Sequence, residues 1–164
     1  VEEADLPSPD AYSSFKPFIK GVFSQWHATT FTLNGECFST AEQWMMVAKA
    51  RLFGDDAAAA SILGTDDPAQ QKRFGQTVEN FDQTAWDKAK LGIVFAGNYA
   101  KFSQNDGAAR QLLATAPAML VEANPRDWIW GVGLAIDDPN VGDPIHWRGS
   151  NLLGRILTKV RGEL

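Results

Sequence analysis

The alternation of apolar and polar positions divides the chain into a region of short strands, a run of helices and a late glycine-rich loop. From Phe15 to Phe38 the pattern is that of brief strands. Within it, "FTLNGECF" at 31–38 sets Asn34-Gly35 between apolar alternations, which predicts a tight hairpin. Ser39 fits a helix N-cap, and Ser39-x-x-Glu42 matches a capping box. The helix it opens runs to about Leu52 and stops near Gly54. "DDPAQQKRFG" at 66–75 predicts a short helix with an Asp N-cap and Pro68 at its first position. Residues 84–103 give a long amphipathic helix, and another follows near 107–114. "AMLVEA" reads as a brief buried strand ending in Glu122, and residues 124–150 as a long loop rich in glycine and tryptophan. "NLLGRILTKVRG" closes the chain as a helix with Leu152, Leu153, Ile156, Leu157 and Val160 on one side. Residues 1–12, "VEEADLPSPDAY", read as a flexible, solvated lead ahead of a domain over 13–164. The expected fold is α+β and mostly α-helical, a compact single domain with a small antiparallel sheet.

One helix breaks its own pattern. On a wheel of about 100° per residue, Met46, Lys49 and Phe53 all fall within roughly 40° of Glu42. The polar strip of this helix lies elsewhere, around Gln43 and Arg51. Glu42 and Lys49 therefore share the methionine face, where ionised side chains are rarely left without partners. Each has an ordinary explanation: Glu42 as the third residue of a capping box, Lys49 as a snorkelling side chain. Lys49 lies roughly 10.5 Å further along the axis by helix rise, and its side chain leans back toward Glu42. Together on one apolar face, the two point to a functional pocket.

Composition narrows the chemistry. At 164 residues, with 45% hydrophobic and 21% charged residues, the chain has ordinary globular make-up and enough length for a sizeable core. No apolar run approaches the roughly 18 residues of a membrane span, so no membrane partner is expected. No signal peptide opens the sequence, and Val1 in place of a methionine suggests a trimmed chain. A single cysteine, Cys37, fits a reducing compartment, cytoplasmic or, in a eukaryote, nuclear. The formal charge of −5 argues against a broad phosphate-tracking surface but leaves room for a nucleotide-sized anion. Two histidines and one cysteine lack zinc-ligand spacing, so no metal and no cofactor are expected. There is no P-loop or nucleophile elbow, and Gly131-Val-Gly133 alone is too weak to mean a dinucleotide site. Carboxylates, a lysine and aromatic plates remain, an inventory suited to glycosidic chemistry or to binding a stacked base.

A second cluster lies in "VEANPRDWIWG", residues 121–131. Glu122 ends an apolar strand, a common place for a side chain to enter a pocket. Trp128 and Trp130 fall on one side if the stretch is extended, enough for an aromatic wall, and Asp127 is either a pocket residue or a turn former. In "WRGSNLLG", Gly149, Ser150 and Asn151 open a helix whose free amides and dipole would favour a phosphate, with Arg148 as counter-charge. A plain N-cap at Ser150 is the simpler alternative.

The order and spacing of eight stretches carry a family resemblance over about Phe15 to Arg161. They are "FSQW" (23–26), "STAEQWMMVAKARLFGD" (39–55), "FGQ" (74–76), "WDKAK" (86–90), "AKF" (100–102), "LLATAPAMLVE" (112–122), "RDWIWGVGL" (126–134) and "NLLGRILTKVR" (151–161). The chain resembles the NADAR family of N-glycosidases. The loop from Ala135 to Trp147 departs from the shorter glycine-rich link of the bacterial members. The resemblance implies hydrolysis of an N-glycosidic bond between a phosphorylated ribose and an exocyclic amino nitrogen. Its substrate would be ADP-ribosylated guanine, as nucleotide or DNA, or a phosphorylated ribosylamine of riboflavin biosynthesis. A non-catalytic ADP-ribose- or NAD-binding module is the other class left open. The resemblance carries Glu42, Lys49, Glu122 and Asp127 over as candidate catalytic residues. It makes Phe23, Trp26, Trp86, Trp130, Gly131 and Asn151 candidate substrate contacts beside Trp128 and Arg148, with Gly75 in support.

Overall fold

In chain order the computed structural model, which describes residues 1–164, contains β1 (Phe15–Phe18), β2 (Phe31–Leu33), β3 (Glu36–Phe38), α1 (Ala41–Leu52), α2 (Asp56–Leu63), α3 (Pro68–Gln76), α4 (Gln83–Gln104), α5 (Asp106–Leu113), β4 (Met119–Glu122) and α6 (Leu152–Glu163). The α+β class, dominated by helix, is the one the pattern implies. These elements fall into two compact units, residues 25–105 and residues 1–24 with 106–164.

In the unit of residues 25–105, Asn34 and Gly35 both take positive φ, 53° and 79°. Two consecutive left-handed residues are what a two-residue hairpin loop needs, and β2 and β3 pair antiparallel with Phe31 opposite Phe38. Helix α1 buries Met45, Met46, Val47 and Ala50 and packs on α2, α3 and α4.

The start of α1 differs from the expected one by a single residue. Thr40, not Ser39, is the N-cap: its Oγ1 accepts from Gln43 N at 2.9 Å and donates to the buried Gln71 Oε1 at 2.6 Å. Gln43 Oε1 in turn accepts from Ser39 N at 2.8 Å. Tertiary hydrogen bonds select this register. Gln43 Nε2 donates to the carbonyls of Ile62 and Thr65 at 3.1 and 3.0 Å, and an ionised Glu there would have no donor to offer. The capping box that would have explained Glu42 is absent.

Helix α2 has no counterpart in the apolar pattern, because "DAAAASIL" is alanine on every face. Its cues are intrinsic propensity and the Asp55 cap, whose Oδ1 accepts from Ala58 N at 3.0 Å.

In the other unit, β1 and β4 run parallel, with Phe15 beside Met119 and Phe18 beside Glu122. The hairpin is the expected antiparallel sheet. This parallel pair leaves no local turn signal, because its strands are joined by a hundred residues of intervening chain. All four residues of β4 are buried. Val121 and Ala123 pack with Val132, Leu134 and Val141, flanked by Phe15 and Trp147 in edge-to-face contact at 5.6 Å. Helix α6 lies on β4 at Gly154, where any Cβ would overlap the Leu120 carbonyl. Residues 1–12 form two short 3-10 turns with Leu6 buried. Arg155 Nε donates to Pro7 O at 2.9 Å and Nη1 to Glu3 Oε1 at 3.0 Å.

The shifted cap predicts a clear order of damage. Thr40→Ala should destabilise the fold by roughly 1–2 kcal/mol, since it removes both a cap and a buried partner of Gln71. Ser39→Ala removes the bonds of its Oγ to Gln43 Oε1 and from Gln71 Nε2, at 3.1 and 3.2 Å, but leaves each of those groups a shorter one, from Ser39 N and to Thr65 O, and should cost less. Urea denaturation of the two variants checks this; a larger loss at Ser39 contradicts the assignment.

Candidate functional site

Residues 25–105 bring together Glu42, Lys49 and Trp86. Glu42 is 7% exposed, and its amide donates to Gln25 O at 3.0 Å. As the second residue of α1 it lies where the helix dipole favours a negative charge. Lys49, in the last turn, is half-buried. Its Nζ stands 4.8 Å from the Phe81 ring centroid and 5.6 Å from that of Trp86. Ring faces attract an ammonium, but burial removes its water. Burial is the larger effect and lowers the Lys49 pKa below its usual 10.5; the charge of Glu42 opposes it. The amine is thus drawn toward its neutral, nucleophilic form.

Phe81 is a residue the sequence reading missed. It is 41% exposed, held against Phe53 at 5.3 Å, and lies in the polar stretch "ENFD" ahead of α4. No periodicity marks it; an isolated aromatic among polar residues was the only signal. Trp26 is exposed in a turn beside Gln25, whose Oε1 accepts from Asn98 Nδ2 at 2.9 Å. Gly75 has a packing role: a Cβ there would collide with the Met46 thioether.

The other unit brings together Glu122, Asp127, Gly131 and Asn151. Glu122 ends β4 and is 8% exposed, and its Oε2 is enclosed with no hydrogen-bond partner. Burial first, and the nearby Asp127 second, push its carboxyl from 4.5 up to about 8. Burial thus favours its protonated form at neutral pH. Gly131 lies close under it, where a Cβ would come within 3.0 Å of the Glu122 carbonyl. Phe23 is buried edge-on against Phe18, the β1 neighbour of Glu122.

Asp127 is the turn former that its sequence context allowed. Its Oδ1 accepts from the amides of both Ile129 and Trp130, at 2.9 and 2.8 Å. Consecutive amides of an extended strand point to opposite sides, so residues 128–130 are not extended. The alternation argument for an aromatic wall therefore fails. Trp128 is 56% exposed, with its ring edge over Gly133 beside the Arg148 Cβ, and Trp130 is half-buried.

Neither the N-cap at Ser150 that the spacing favours nor the alternative phosphate cradle is what forms at the start of α6. The N-cap of α6 is Asn151, not Ser150, and the amides at the helix start are already engaged. Gly149 N donates to Val132 O, Ser150 N to Trp128 O, Asn151 N to Gly131 O, Leu152 N to Ile129 O and Leu153 N to Trp130 O, at 2.9–3.2 Å. The turn after Asp127 curls onto the helix and takes the donors an anion would use. Arg148 remains an exposed cation. Asn151 is fully buried, with its side chain bonded to the backbone of β4. No group of three or more His, Cys, Asp or Glu side chains is placed to hold a metal ion.

Comparison with known proteins gives the family. The NADAR domain model matches residues 14–164. The chain is 44% identical over 147 residues to N-glycosidase R617 of Acanthamoeba polyphaga mimivirus, covering 87% of this chain and 86% of that protein. It is 30% identical over 144 residues to Riboflavin biosynthesis protein VVA0006 of Vibrio vulnificus, covering 88% of this chain but only 35% of that protein. The NMR structure of Escherichia coli YbiA superposes with a TM-score of 0.73 at 27% identity, covering 92% of this chain and 84% of that one. The class is that of α+β N-glycosyl hydrolases. Within it, the chain belongs to the NADAR family.

The raised Glu122 value has a consequence for stability. A carboxyl whose folded value exceeds its unfolded one favours folding in its protonated form. That stability is present below pH 4.5 and is lost as pH rises to about 8. Glu122→Gln stays neutral, so its melting temperature should gain on the wild type's progressively between those limits. A gap between the two that does not change with pH contradicts the assignment.

Proposed function

We propose that this protein hydrolyses the bond between a phosphorylated ribose and an exocyclic amino nitrogen of a base, with ADP-ribose on guanine as the leading substrate. The observation that carries the reading is Lys49: a lysine in an aromatic corner, depressed in pKa by burial, with Glu42 close enough to act on its charge. A pure binding module needs no such group. A glycosylamine on an exocyclic nitrogen can open its sugar ring to an imine at the anomeric carbon. A neutral lysine adds to that carbon, and the carbon–nitrogen bond to the base breaks as a carboxylic acid protonates the departing nitrogen. Water then hydrolyses the lysine imine, releasing the ribose and restoring the amine. Glu42 relays the proton at Lys49, and in the other unit Glu122, whose carboxyl burial pushes up to about 8, is the residue to which we assign the acid's role. Asp127, its Oδ1 held by two amides, keeps its other oxygen for a ribose hydroxyl or water.

Direct displacement by water would need an ionised carboxylate as base, a role that Glu122, pushed up to about 8, fits poorly and that would fall to Glu42. A ribosylamino-pyrimidine phosphate is the second substrate reading, favoured by the printed name of the Vibrio vulnificus relative. The net charge of −5 suits a single nucleotide-sized ligand better than extended contact with a nucleic-acid backbone.

Borohydride added during turnover of an oligonucleotide carrying ADP-ribose on guanine tests the reading, with mass spectrometry of the protein. A reduced sugar adduct on Lys49 is expected, and Lys49→Arg should be inactive, because a guanidinium keeps its charge and does not add to the imine. An active enzyme that yields no adduct and tolerates Lys49→Arg contradicts the imine route. Release of ribose from the pyrimidine phosphate alone moves the substrate to the second reading.

A further inference from the structure

Strand β4 has a partner along one edge only: β1 pairs with it there, and no strand lies along the other. An open edge leaves the backbone groups of alternate residues without partners, which is costly inside a core. Here those residues are Leu120 and Glu122: Glu122 O accepts from Val132 N at 3.0 Å, and side chains of α6 and its cap meet the other three groups. Thr158 Oγ1 accepts from Leu120 N at 3.1 Å while donating to Gly154 O at 2.7 Å. Asn151 Nδ2 donates to Leu120 O, and Asn151 Oδ1 accepts from Glu122 N, both at 3.0 Å. A primary amide carries its donor and acceptor as a peptide group does, so Asn151 pairs with β4 as a residue of another strand would.

Three features set Asn151 apart from an ordinary cap. Its side chain makes no bond to the helix it opens, the usual task of Asn at that position. It holds a left-handed backbone, φ 53° and ψ 39°, and is wholly buried. Gly154 stands one turn on, where a Cβ would overlap both the Leu120 carbonyl and the Asn151 amide. The close approach of helix to strand at this point exists only because residue 154 has no side chain.

We infer that Asn151 is a positioning residue for Glu122, a surrogate strand on the open edge of β4 that fixes the backbone from which the carboxyl is presented. This rests on the reading of Glu122 as the reaction's acid. Asn151 thereby acts through Glu122 and not on the substrate. Thr158 holds Leu120, two residues from the acid, so it supports the strand without setting the aim of the carboxyl.

The test compares Asn151→Gly, Thr158→Val and Glu122→Gln on the oligonucleotide bearing ADP-ribose on guanine. Glycine keeps the left-handed backbone unstrained and removes only the amide. Asn151→Gly should lower kcat on the order of 10²-fold with KM little changed, as a misplaced reacting group does. Its alkaline limb should move to lower pH, because a loosened strand admits water to the carboxyl and lets it ionise sooner. Thr158→Val, which also removes a buried bond to β4, should keep the wild-type limb. Equal loss of kcat and superimposable pH profiles for these two variants overturn the positioning role. An active Glu122→Gln overturns the acid reading and the inference with it. Without any substrate or variant, the side-chain amide resonance of Asn151 in the wild-type protein should titrate together with the Glu122 carboxyl. A flat resonance through that transition also overturns the proposal.

Discussion

Removal of water from two ionisable side chains is the constraint on which the chemistry of this molecule depends. Burial acts on Lys49 and Glu122 in opposite senses of pKa but toward the same end, because it disfavours whichever form is charged. The lysine moves down and the carboxyl moves up, so each is drawn toward its neutral form. Neither state is stable in water, and neither survives without the packing that surrounds it. For Lys49 that packing is the Phe81 and Trp86 rings. For Glu122 it is the core around β4 and the turn that folds back over it.

The Asp127 turn shows how one local choice fixes several others. A single carboxylate oxygen takes two successive amides, which bends residues 128–130 and directs their carbonyls onto the start of α6. That contact consumes the helix amides, turns Asn151 inward and brings its side chain onto β4. A residue that would otherwise cap a helix completes a sheet edge instead. The glycines at 149 and 154 make room, since a Cβ at either would run into neighbouring backbone.

Much of the fold was legible because it is written in short-range patterns. Asn34-Gly35 specifies its hairpin through backbone φ alone, and Asp67-Pro68 specifies the start of α3. What escaped was set by distant partners or by the lack of contrast. The one-residue shift of the α1 cap follows from bonds to Gln71, Ile62 and Thr65, and β1–β4 pairing follows from no turn at all. Helix α2 has no polar–apolar contrast to read.

The candidate site divides along the same line. Glu42 and Lys49 stand out from the sequence because ionisable residues on an apolar face violate the pattern of their own helix. Phe81 does not, since an irregular stretch has no pattern to violate. Asn151 was visible as a residue but not in its role, because the direction of its side chain depends on a turn twenty residues upstream. The most direct test of the account is a single pH titration of the wild-type protein by carbon NMR, following the Glu122 carboxyl and the Lys49 Cε. A Glu122 midpoint near 8, together with a Lys49 midpoint below 10.5, is the predicted result. A Glu122 midpoint near 4.5 with Lys49 at its ordinary value would contradict it.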